Sequence, residues 1–403
     1  MKHWIAAILC LCMLLGSTAL ADVPTASGTV TIPDVTVKQF DIPDNDAMAF
    51  VADMKLGWNL GNTFDAIRDG YKGDDLSIES YWVGVKTTRE MIADIKAAGF
   101  NTIRLPVSWH NHVDADFNIN PAWLDRVQEV VDWCMEEGLY VILNTHHDVY
   151  PQYYYPSSEH YATAEKYITA IWSQLAERFK DYDHHLIFES MNEPRLKDTS
   201  NEWSFNKMIP ECADAGECIN KLNQVFVDLV RASGSRNADR YLMIPSYAAS
   251  PAAATNDAYV LPTDSADNRL IVSVHAYTPY SFALAAGSTT TFSLDNRSQV
   301  SEIGSFMNSL YNRFVKNGIP VVIGEFGARA KGDNLQDRVT FAAYYVASAR
   351  GRGITCCWWD NHAFAGNGEL FGIYNRRNGR WPGADIVLAM TRYAEPGAAA
   401  PKE

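Results

Sequence analysis

The chain has 403 residues, a formal net charge of −14 and a calculated pI near 5.2, and 12% of its residues are aromatic. The acidic balance argues against nucleic acid and anionic membranes as partners, because like charges would repel. The length exceeds one typical domain but suits a single α/β barrel with inserted loops.

The first 21 residues have the pattern of a secretory signal. Lys2 and His3 give a basic start, residues 5–15 form an apolar core, and Ala19-Leu20-Ala21 is a small-x-small cleavage pattern. The apolar run is too short to span a bilayer. We therefore expect a secreted protein, extracellular or periplasmic, that begins at Asp22 and has no membrane association.

Strand-like and helical patterns alternate along the rest of the chain. Residues 22–45 are expected to form an exposed lead-in, residues 46–394 one catalytic domain, and residues 395–403 a disordered tail rich in Ala, Pro and Gly. Apolar runs predict strands at 55–60, 102–109, 139–145, 186–191, 241–245, 270–275, 320–324 and 354–359. Helical patterns occur at 88–98, 121–137, 162–179, 219–233, 299–317 and 336–350. This order predicts a closed parallel (β/α)8 TIM barrel, since dinucleotide glycine fingerprints are absent.

Polar and aromatic side chains recur where the predicted strands end. The carboxyl ends of barrel strands meet on one face, which is where barrel enzymes carry their active sites. The side chains at these positions are Asn62, Arg104, His146, His147, Asn192, Glu193, His275, Tyr277, Glu325, Trp358 and Trp359. The pattern therefore predicts a catalytic rim on this face.

Two glutamates stand out within that set. Glu193 and Glu325 each follow an apolar, strand-like run. Two carboxyls across a cleft are the minimum for cleaving a glycosidic bond, although either one alone would be an ordinary solvated loop carboxylate. A separation of about 5–5.5 Å would indicate retention of anomeric configuration, and roughly 9 Å would indicate inversion.

Seven sequence blocks occur in order around these positions. They are GWNLGNTFDA (57–66), GFNTIRLPV (99–107), LNTHHD (143–148), NEP (192–194), HAY (275–277), GEFG (324–327) and WWDN (358–361). With these blocks the chain resembles glycoside hydrolase family 5, and within it the subfamily 4 endo-β-1,4-glucanases. The resemblance runs from about residue 54 to 390.

The resemblance implies a retaining mechanism, with Glu193 as acid/base and Glu325 as nucleophile. Glu193 must carry a proton for the first step, so we expect the charge of Glu325 to raise its pKa. Arg104 is the natural cation to keep Glu325 ionised, and a purely structural ion pair in the barrel is the alternative.

Other roles also follow from the resemblance. Asn192 is implied to meet the sugar 2-hydroxyl, and a turn-forming asparagine is the alternative. His146 is implied to line the subsite before the cleaved bond, while His275 and Tyr277 orient the acid/base and the nucleophile. Core histidines are the alternative for both rings. Asn62 and His147 complete the polar candidates for substrate binding.

The tryptophans leave a choice open. Strand alternation forbids Trp358 and Trp359 from both facing the cleft, and we favour Trp359 as the floor beneath the sugar. Trp82 and Trp109 are candidate platforms farther along the cleft, with packing under loops as the alternative. The segment 82–88 reads WVGVKTT where relatives commonly read WGNPKTT, so the loop over the distal subsites is expected to differ.

No cofactor or catalytic metal is expected. His146 and His147 are adjacent, so on a strand they would point to opposite sides and rarely share an ion. The Asp-rich loop at 69–75 leaves a structural Ca²⁺ open. Cys212 and Cys218 flank a predicted short loop that an oxidising compartment could bridge. Cys134, Cys356 and Cys357 are expected to be small apolar side chains, and the odd count leaves at least one free thiol.

Together these features predict a monomeric, secreted endo-β-1,4-glucanase. Its expected substrates are soluble or amorphous cellulose, mixed-linkage glucan and xyloglucan. A xyloglucanase or xylanase on the same machinery is the alternative among enzymes, and a non-catalytic sugar-binding barrel is the alternative outside them. A barrel enzyme of phosphate metabolism is opposed by the signal segment and by the lack of a glycine-rich phosphate loop.

Overall fold

The computed structural model describes residues 23–71 and 76–401. The predicted signal at 1–21 and part of the Asp-rich loop at 69–75 lie outside these residues. Eight strands form a closed barrel in which β1 pairs with β2 and so on around to β8, which pairs with β1, all in parallel. The predicted (β/α)8 TIM barrel is therefore confirmed.

The strands are short and fully enclosed. They are β1 (Leu56–Leu60), β2 (Thr102–Leu105), β3 (Tyr140–Asn144), β4 (Leu186–Glu189), β5 (Leu242–Pro245), β6 (Leu270–His275), β7 (Val321–Phe326) and β8 (Thr355–Asp360). Nearly every strand residue is buried, as expected for parallel strands covered by helices. The strands predicted at 102–109 and 186–191 run four and two residues too far, because the buried Trp109 and Met191 continue the apolar pattern past the strand ends. Glu325 lies inside β7 rather than in the loop after it.

The helices of the described residues lie between and around the strands. They are α1 (Asp46–Asp53), α2 (Arg89–Ala97), α3 (Pro121–Glu136), α4 (Tyr161–Arg178), α5 (Pro210–Ala232), α6 (Pro251–Ala254), α7 (Tyr280–Ala283), α8 (Arg297–Arg313), α9 (Leu335–Arg350) and α10 (Ala384–Arg392). Short 3₁₀ turns occur at Ser77–Ser80, His110–His112, Ser235–Ala238, Tyr247–Ala249 and Val315–Asn317. None of these helices combines the length and the apolar character needed to cross a bilayer.

Helix α3 begins where the sequence predicts. The Asn120 side chain accepts a hydrogen bond from the Ala122 amide at 2.8 Å, and Pro121 occupies the first turn, where its missing N–H costs nothing. Gly138, just past the end, has a φ of 66°, which a glycine adopts without strain.

Helix α5 overturns the expected disulfide. It begins at Pro210 instead of residue 219, so Cys212 and Cys218 lie on one helix and not on either side of a loop. Six residues of helix rise about 9 Å, whereas bridged Cα atoms lie about 4.4–6.8 Å apart. Both thiols are free, and so are the buried Cys134, Cys356 and Cys357.

The lead-in and the tail pack against the barrel. Val35 and Val37 are buried, the Phe40 amide donates to the Gly351 carbonyl at 2.9 Å, and the Val37 amide donates to the Ala399 carbonyl at 3.0 Å. Ala399 is also buried. The expected exposed lead-in is therefore wrong at these positions, and the described part of the tail does not stand free of the domain. Burying the apolar side chains of the lead-in and the tail stabilises this packing, which the composition of these segments did not indicate.

Helix α1 closes the amino-terminal end of the barrel. Phe50 stacks on Tyr241 with ring centroids 3.7 Å apart and meets Tyr140 edge-on at 5.2 Å. These rings form a compact apolar cluster with Ile142, Ile187 and other residues at the strand starts. One end of the barrel interior is thus filled by apolar side chains, and the polar side chains collect at the other end.

Candidate active site

The two predicted glutamates meet at the carboxyl-terminal end of the barrel. Glu325 comes from β7, Glu193 follows β4, and His275 ends β6. One carboxylate oxygen of each glutamate and one nitrogen of His275 lie within 4.8 Å of one another. Residues far apart in the chain therefore converge on one site.

Arg104 lies in the barrel interior beneath this site and contacts several of its residues. Its Nη1 donates to Glu325 Oε1 at 2.7 Å, and its Nη2 donates to Asn192 Oδ1 at 2.6 Å. The guanidinium is fully buried. Burial disfavours its charge, but the carboxylates of Glu189 and Glu325 outweigh that effect and raise the pKa of Arg104. Arg104 therefore stays cationic and contacts Glu325, as expected.

Glu189 is a site residue that sequence reasoning missed. It is fully buried and accepts hydrogen bonds from Arg104 Nε at 2.8 Å, Ser273 Oγ at 2.5 Å and Asn144 Nδ2 at 3.0 Å. These contacts fix the guanidinium so that its other nitrogens reach Glu325 and Asn192. A carboxylate inside a predicted apolar strand needs a buried partner, and that pattern could have revealed it.

Glu325 is held by two donors. Besides Arg104 on Oε1, the Tyr277 hydroxyl donates to Oε2 at 2.9 Å. Burial first, and the charge of Glu325 second, raise the pKa of Tyr277 well above its usual value, so the phenol keeps its proton and remains a donor. With one hydrogen bond on each oxygen, the carboxylate is fixed in orientation.

Glu193 differs from the expectation about its protonation. Its Oε1 lies 2.8 Å from His275 Nδ1, and its Oε2 lies 3.7 Å from Arg195 Nη1. Burial by itself would raise the pKa of Glu193, but the hydrogen bond and charge of His275 and the charge of Arg195 outweigh it and lower the pKa. The expected rise in the pKa of Glu193 is therefore wrong for this arrangement, because the contacts with His275 and Arg195 outweigh burial.

Trp359 and His146 form one wall of the cleft. Their rings are parallel, at an interplanar angle of 2° and a centroid distance of 5.8 Å. Trp358 is fully buried on the other side of β8, where its Nε1 donates to the Phe371 carbonyl and its ring contacts Phe326. Strand alternation thus puts Trp359 on the cleft side, the arrangement we favoured.

The candidate substrate-binding residues farther from the two glutamates differ in exposure. Trp82 is 40% exposed and its ring lies 5.9 Å from the His147 ring. Trp109 is fully buried and its Nε1 donates to the Asn144 carbonyl at 3.0 Å, so the expectation of a sugar platform there is wrong. Asn62 lies in the turn after β1 with a φ of 58°.

Burial lowers the pKa of both histidines in the LNTHHD block. The His146 pKa falls well below its usual value, and the His147 pKa falls to about 4, with the charge of Arg195 as the second cause for His147. Both rings are therefore neutral at ordinary pH. They can exchange hydrogen bonds with sugar hydroxyls without adding charge to the cleft.

Three groups of side chains in the described ranges bring metal-type ligand atoms within 4.8 Å of one another. They are Asp65–His146–His147, Asp183–His184–His185 and Glu193–His275–Glu325. In the third group, protein donors already occupy the carboxylates, since His275 contacts Glu193 and both Arg104 and Tyr277 donate to Glu325. A cation there would have to displace these contacts.

Comparisons with known proteins agree with this geometry. Residues 64–365 match the model of the cellulase family, glycosyl hydrolase family 5. Endoglucanase 1 of Ruminococcus albus is 45% identical over 87% of this chain and 82% of its own length. A glycoside hydrolase 5 lichenase from Caldicellulosiruptor sp. F32, solved as a mutant with cellotetraose, is 55% identical with a TM-score of 0.89, over 91% of this chain and 100% of that one. A GH5-4 broad specificity endoglucanase from Ruminococcus champanellensis with bound cellotriose is 39% identical with a TM-score of 0.80, over 87% and 100% of the two chains.

The buried contacts of Glu189 predict a large stability effect. Glu189→Ala leaves Arg104 short of one buried partner, so we expect the free energy of unfolding to fall by about 3–5 kcal/mol, as when one member of a buried ion pair is removed. Urea denaturation measures it. Glu302→Ala, on the exposed face of α8, is the matched control and should change the free energy of unfolding by no more than about 0.5 kcal/mol. Equal effects of the two substitutions would contradict the role given to Glu189.

Proposed function

The chain belongs to glycosyl hydrolase family 5, and on that premise we propose that it cleaves internal β-1,4 bonds of β-glucans with retention of anomeric configuration. Glu193 is the acid/base and Glu325 the nucleophile of this proposal. The observation that carries it is the close approach of the two carboxylates, with one oxygen of each within 4.8 Å of the other. Retaining enzymes keep the pair about 5–5.5 Å apart, whereas inverting enzymes need about 6.5–9.5 Å for a water molecule.

The first half of the reaction forms a covalent intermediate. Glu325 attacks the anomeric carbon while Glu193 gives its proton to the glycosidic oxygen, which leaves with the acceptor part of the chain. The donors on Glu325, Arg104 and Tyr277, hold the carboxylate in place for attack. In the second half, Glu193 takes a proton from water as that water displaces Glu325, so both carboxyls return to their starting states.

Asn192 is oriented for the sugar by Arg104. Its Oδ1 accepts from Arg104 Nη2 at 2.6 Å, so its amide N–H groups remain to donate to the 2-hydroxyl. That hydrogen bond strengthens as positive charge develops in the oxocarbenium-like transition state. Asn192 would thus act on the transition state more than on the bound substrate.

The lowered pKa of Glu193 suits its role as a base in the second step, where it must be ionised. The first step requires the protonated carboxyl. A bound sugar excludes water from the cleft, and this extra desolvation raises the pKa of a carboxyl. Glu193 retains 15% side-chain exposure, and substrate binding can remove it. We therefore propose that the substrate itself moves Glu193 toward its acid form.

Neutral β-glucans suit this site. The wall of Trp359 and His146 and the exposed ring of Trp82 offer aromatic faces, and the neighbouring histidines are neutral. The cellotetraose bound by the lichenase and the cellotriose bound by the broad specificity endoglucanase support β-glucan chains as substrates. The proposed range is cellulose, mixed-linkage glucan and xyloglucan. A xyloglucanase or xylanase using the same machinery is the second candidate.

Substitution of each glutamate separates their roles. Glu193→Gln should reduce kcat on cellotetraose by about 10²- to 10⁴-fold, the usual contribution of general acid catalysis. It should affect glycosylation by dinitrophenyl β-cellobioside less, because that leaving group needs no proton. Glu325→Gln should abolish turnover of both substrates, and Glu302→Gln is the control. An active Glu325→Gln would disprove the hydrolase assignment.

The stereochemistry of the product tests retention. NMR of the fresh product should show the β-anomer first, and an initial α-anomer would disprove retention.

Removal of His275 should change the pH dependence in a defined direction. Glu193 must be protonated for the first step, so the alkaline limb of kcat/KM falls where Glu193 loses its proton. His275 lowers the pKa of Glu193, so His275→Ala should move that limb to higher pH. His184→Ala, an exposed histidine between α4 and β4, is the control and should leave the profile in place. A limb that stays fixed or moves to lower pH would refute this role.

We also propose export of the protein by its first 21 residues. Lys2 and His3, the apolar core at 5–15 and the Ala19-Leu20-Ala21 pattern support it. In a bacterial host, the full chain should give glucanase activity in the periplasm or medium and a mature amino terminus at Asp22 by Edman sequencing. A chain lacking residues 2–21 should keep its activity in the cytoplasm. Retention of the full chain inside the cells would overturn the proposal.

A further inference from the structure

The exposed aromatic side chains of the described residues share one face of the barrel. They are Tyr81 (54% exposed), Trp82 (40%), Trp203 (60%) and Tyr280 (64%). Each lies beyond the carboxyl end of a strand: the first two after β1, Trp203 after β4 and Tyr280 after β6. The loops beyond the carboxyl ends of the strands lie on the face that carries Glu193 and Glu325, so these rings lie on the same face as the candidate active site.

From this pattern we propose that Trp203 is a binding platform for the glucan residues on the leaving-group side of the cleaved bond. The proposal rests on the proposed glucanase function and adds a site to it. Trp203 was not among the residues that the sequence singled out, because it lies in an irregular loop ten positions after Glu193.

Arg195 connects Trp203 to the acid/base. The guanidinium lies over the Trp203 ring, 4.2 Å from its centroid, and its Nη1 donates to the Glu193 carbonyl at 2.9 Å. Its Nε also donates to Glu202 Oε1 at 3.0 Å. Arg195 therefore lies between the indole and Glu193, and both positions are fixed by the same side chain.

The contact with Arg195 uses only one face of the indole. A cation over an aromatic ring stabilises that pair by itself and would explain why Trp203 lies where it does. It does not explain why 60% of a large apolar side chain faces water. The exposed side of the ring is available for the C–H face of a sugar, which is how aromatic rings commonly meet carbohydrate.

The chemistry decides which side of the cleaved bond Trp203 serves. Glu193 protonates the oxygen that departs with the acceptor sugar, so that sugar lies beside Glu193 and the loop that follows it. The aromatic groups assigned to the other side, Trp359 and Trp82, come from β8 and the loop after β1. Trp203, on the loop that carries Glu193, is therefore placed for the acceptor chain.

The test compares substrates with and without an acceptor sugar. Trp203→Ala should lower kcat/KM for cellohexaose by roughly 2- to 12-fold, the range for losing one aromatic stacking contact. It should leave kcat/KM for dinitrophenyl β-cellobioside unchanged, because that leaving group is not a sugar. The acceptor concentration needed for half-maximal transglycosylation by cellobiose should rise by the same factor. Trp203→Phe keeps a ring and should stay within about twofold of the wild type on all substrates.

Met208→Ala is the matched control, since Met208 lies on the same loop and is 80% exposed. An equal loss with both substrates in Trp203→Ala would mean that the ring only holds Arg195, and would overturn the platform. Wild-type rates with cellohexaose in Trp203→Ala would also overturn it. Failure of the glucanase function itself looks different, because the unmodified enzyme would then cleave neither substrate.

Discussion

A guanidinium group sits in the barrel interior with no exposed surface, and its position determines the geometry of the site around it. Arg104 contacts Glu189, Glu325 and Asn192, which come from two further strands and the loop after one of them. A buried charge is tolerated only when it is paired and hydrogen-bonded, so these partners must come together when the barrel closes. The same requirement that satisfies Arg104 also holds Glu325 and Asn192 in their places.

The two glutamates of the site are supported differently. Glu325 lies inside β7 with a donor on each oxygen, whereas Glu193 lies past the end of β4 and keeps 15% side-chain exposure. In the proposed mechanism Glu325 is the nucleophile, and a fixed carboxylate suits attack along one direction. In the same proposed mechanism, Glu193 must give and take a proton within one cycle. Its partial exposure, and its contacts with His275 and Arg195, which lower its pKa, suit that role.

Local patterns were enough to predict the barrel and most of the side chains that gather at its carboxyl-terminal end, because the alternation of strands and helices and the ends of the strands are properties of short segments. Partners across the fold were not predictable in that way. Trp109 looks like a cleft residue from its position, but its side chain is fully buried and donates to the Asn144 carbonyl. From the sequence, Cys212 and Cys218 flank what looks like a short loop that a disulfide could bridge. In the structure both lie on the helix that begins at Pro210. Glu189 and Trp203 escaped notice because their roles depend on side chains that arrive from other strands or loops.

The contact between the lead-in and the tail has a practical consequence for how this domain can be joined to others. The Val37 amide meets the Ala399 carbonyl, and Lys55, just before β1, pairs with Glu395 at 2.7 Å, so the tail lies at the closed base of the barrel. The start of the lead-in lies elsewhere, because Ser27 and Thr31 bond to Asp385 and Gln336 in the first turns of α10 and α9. A carbohydrate-binding module or scaffold anchor fused after the tail would therefore project away from the open groove. Polysaccharide could then slide across the groove without meeting the attached partner.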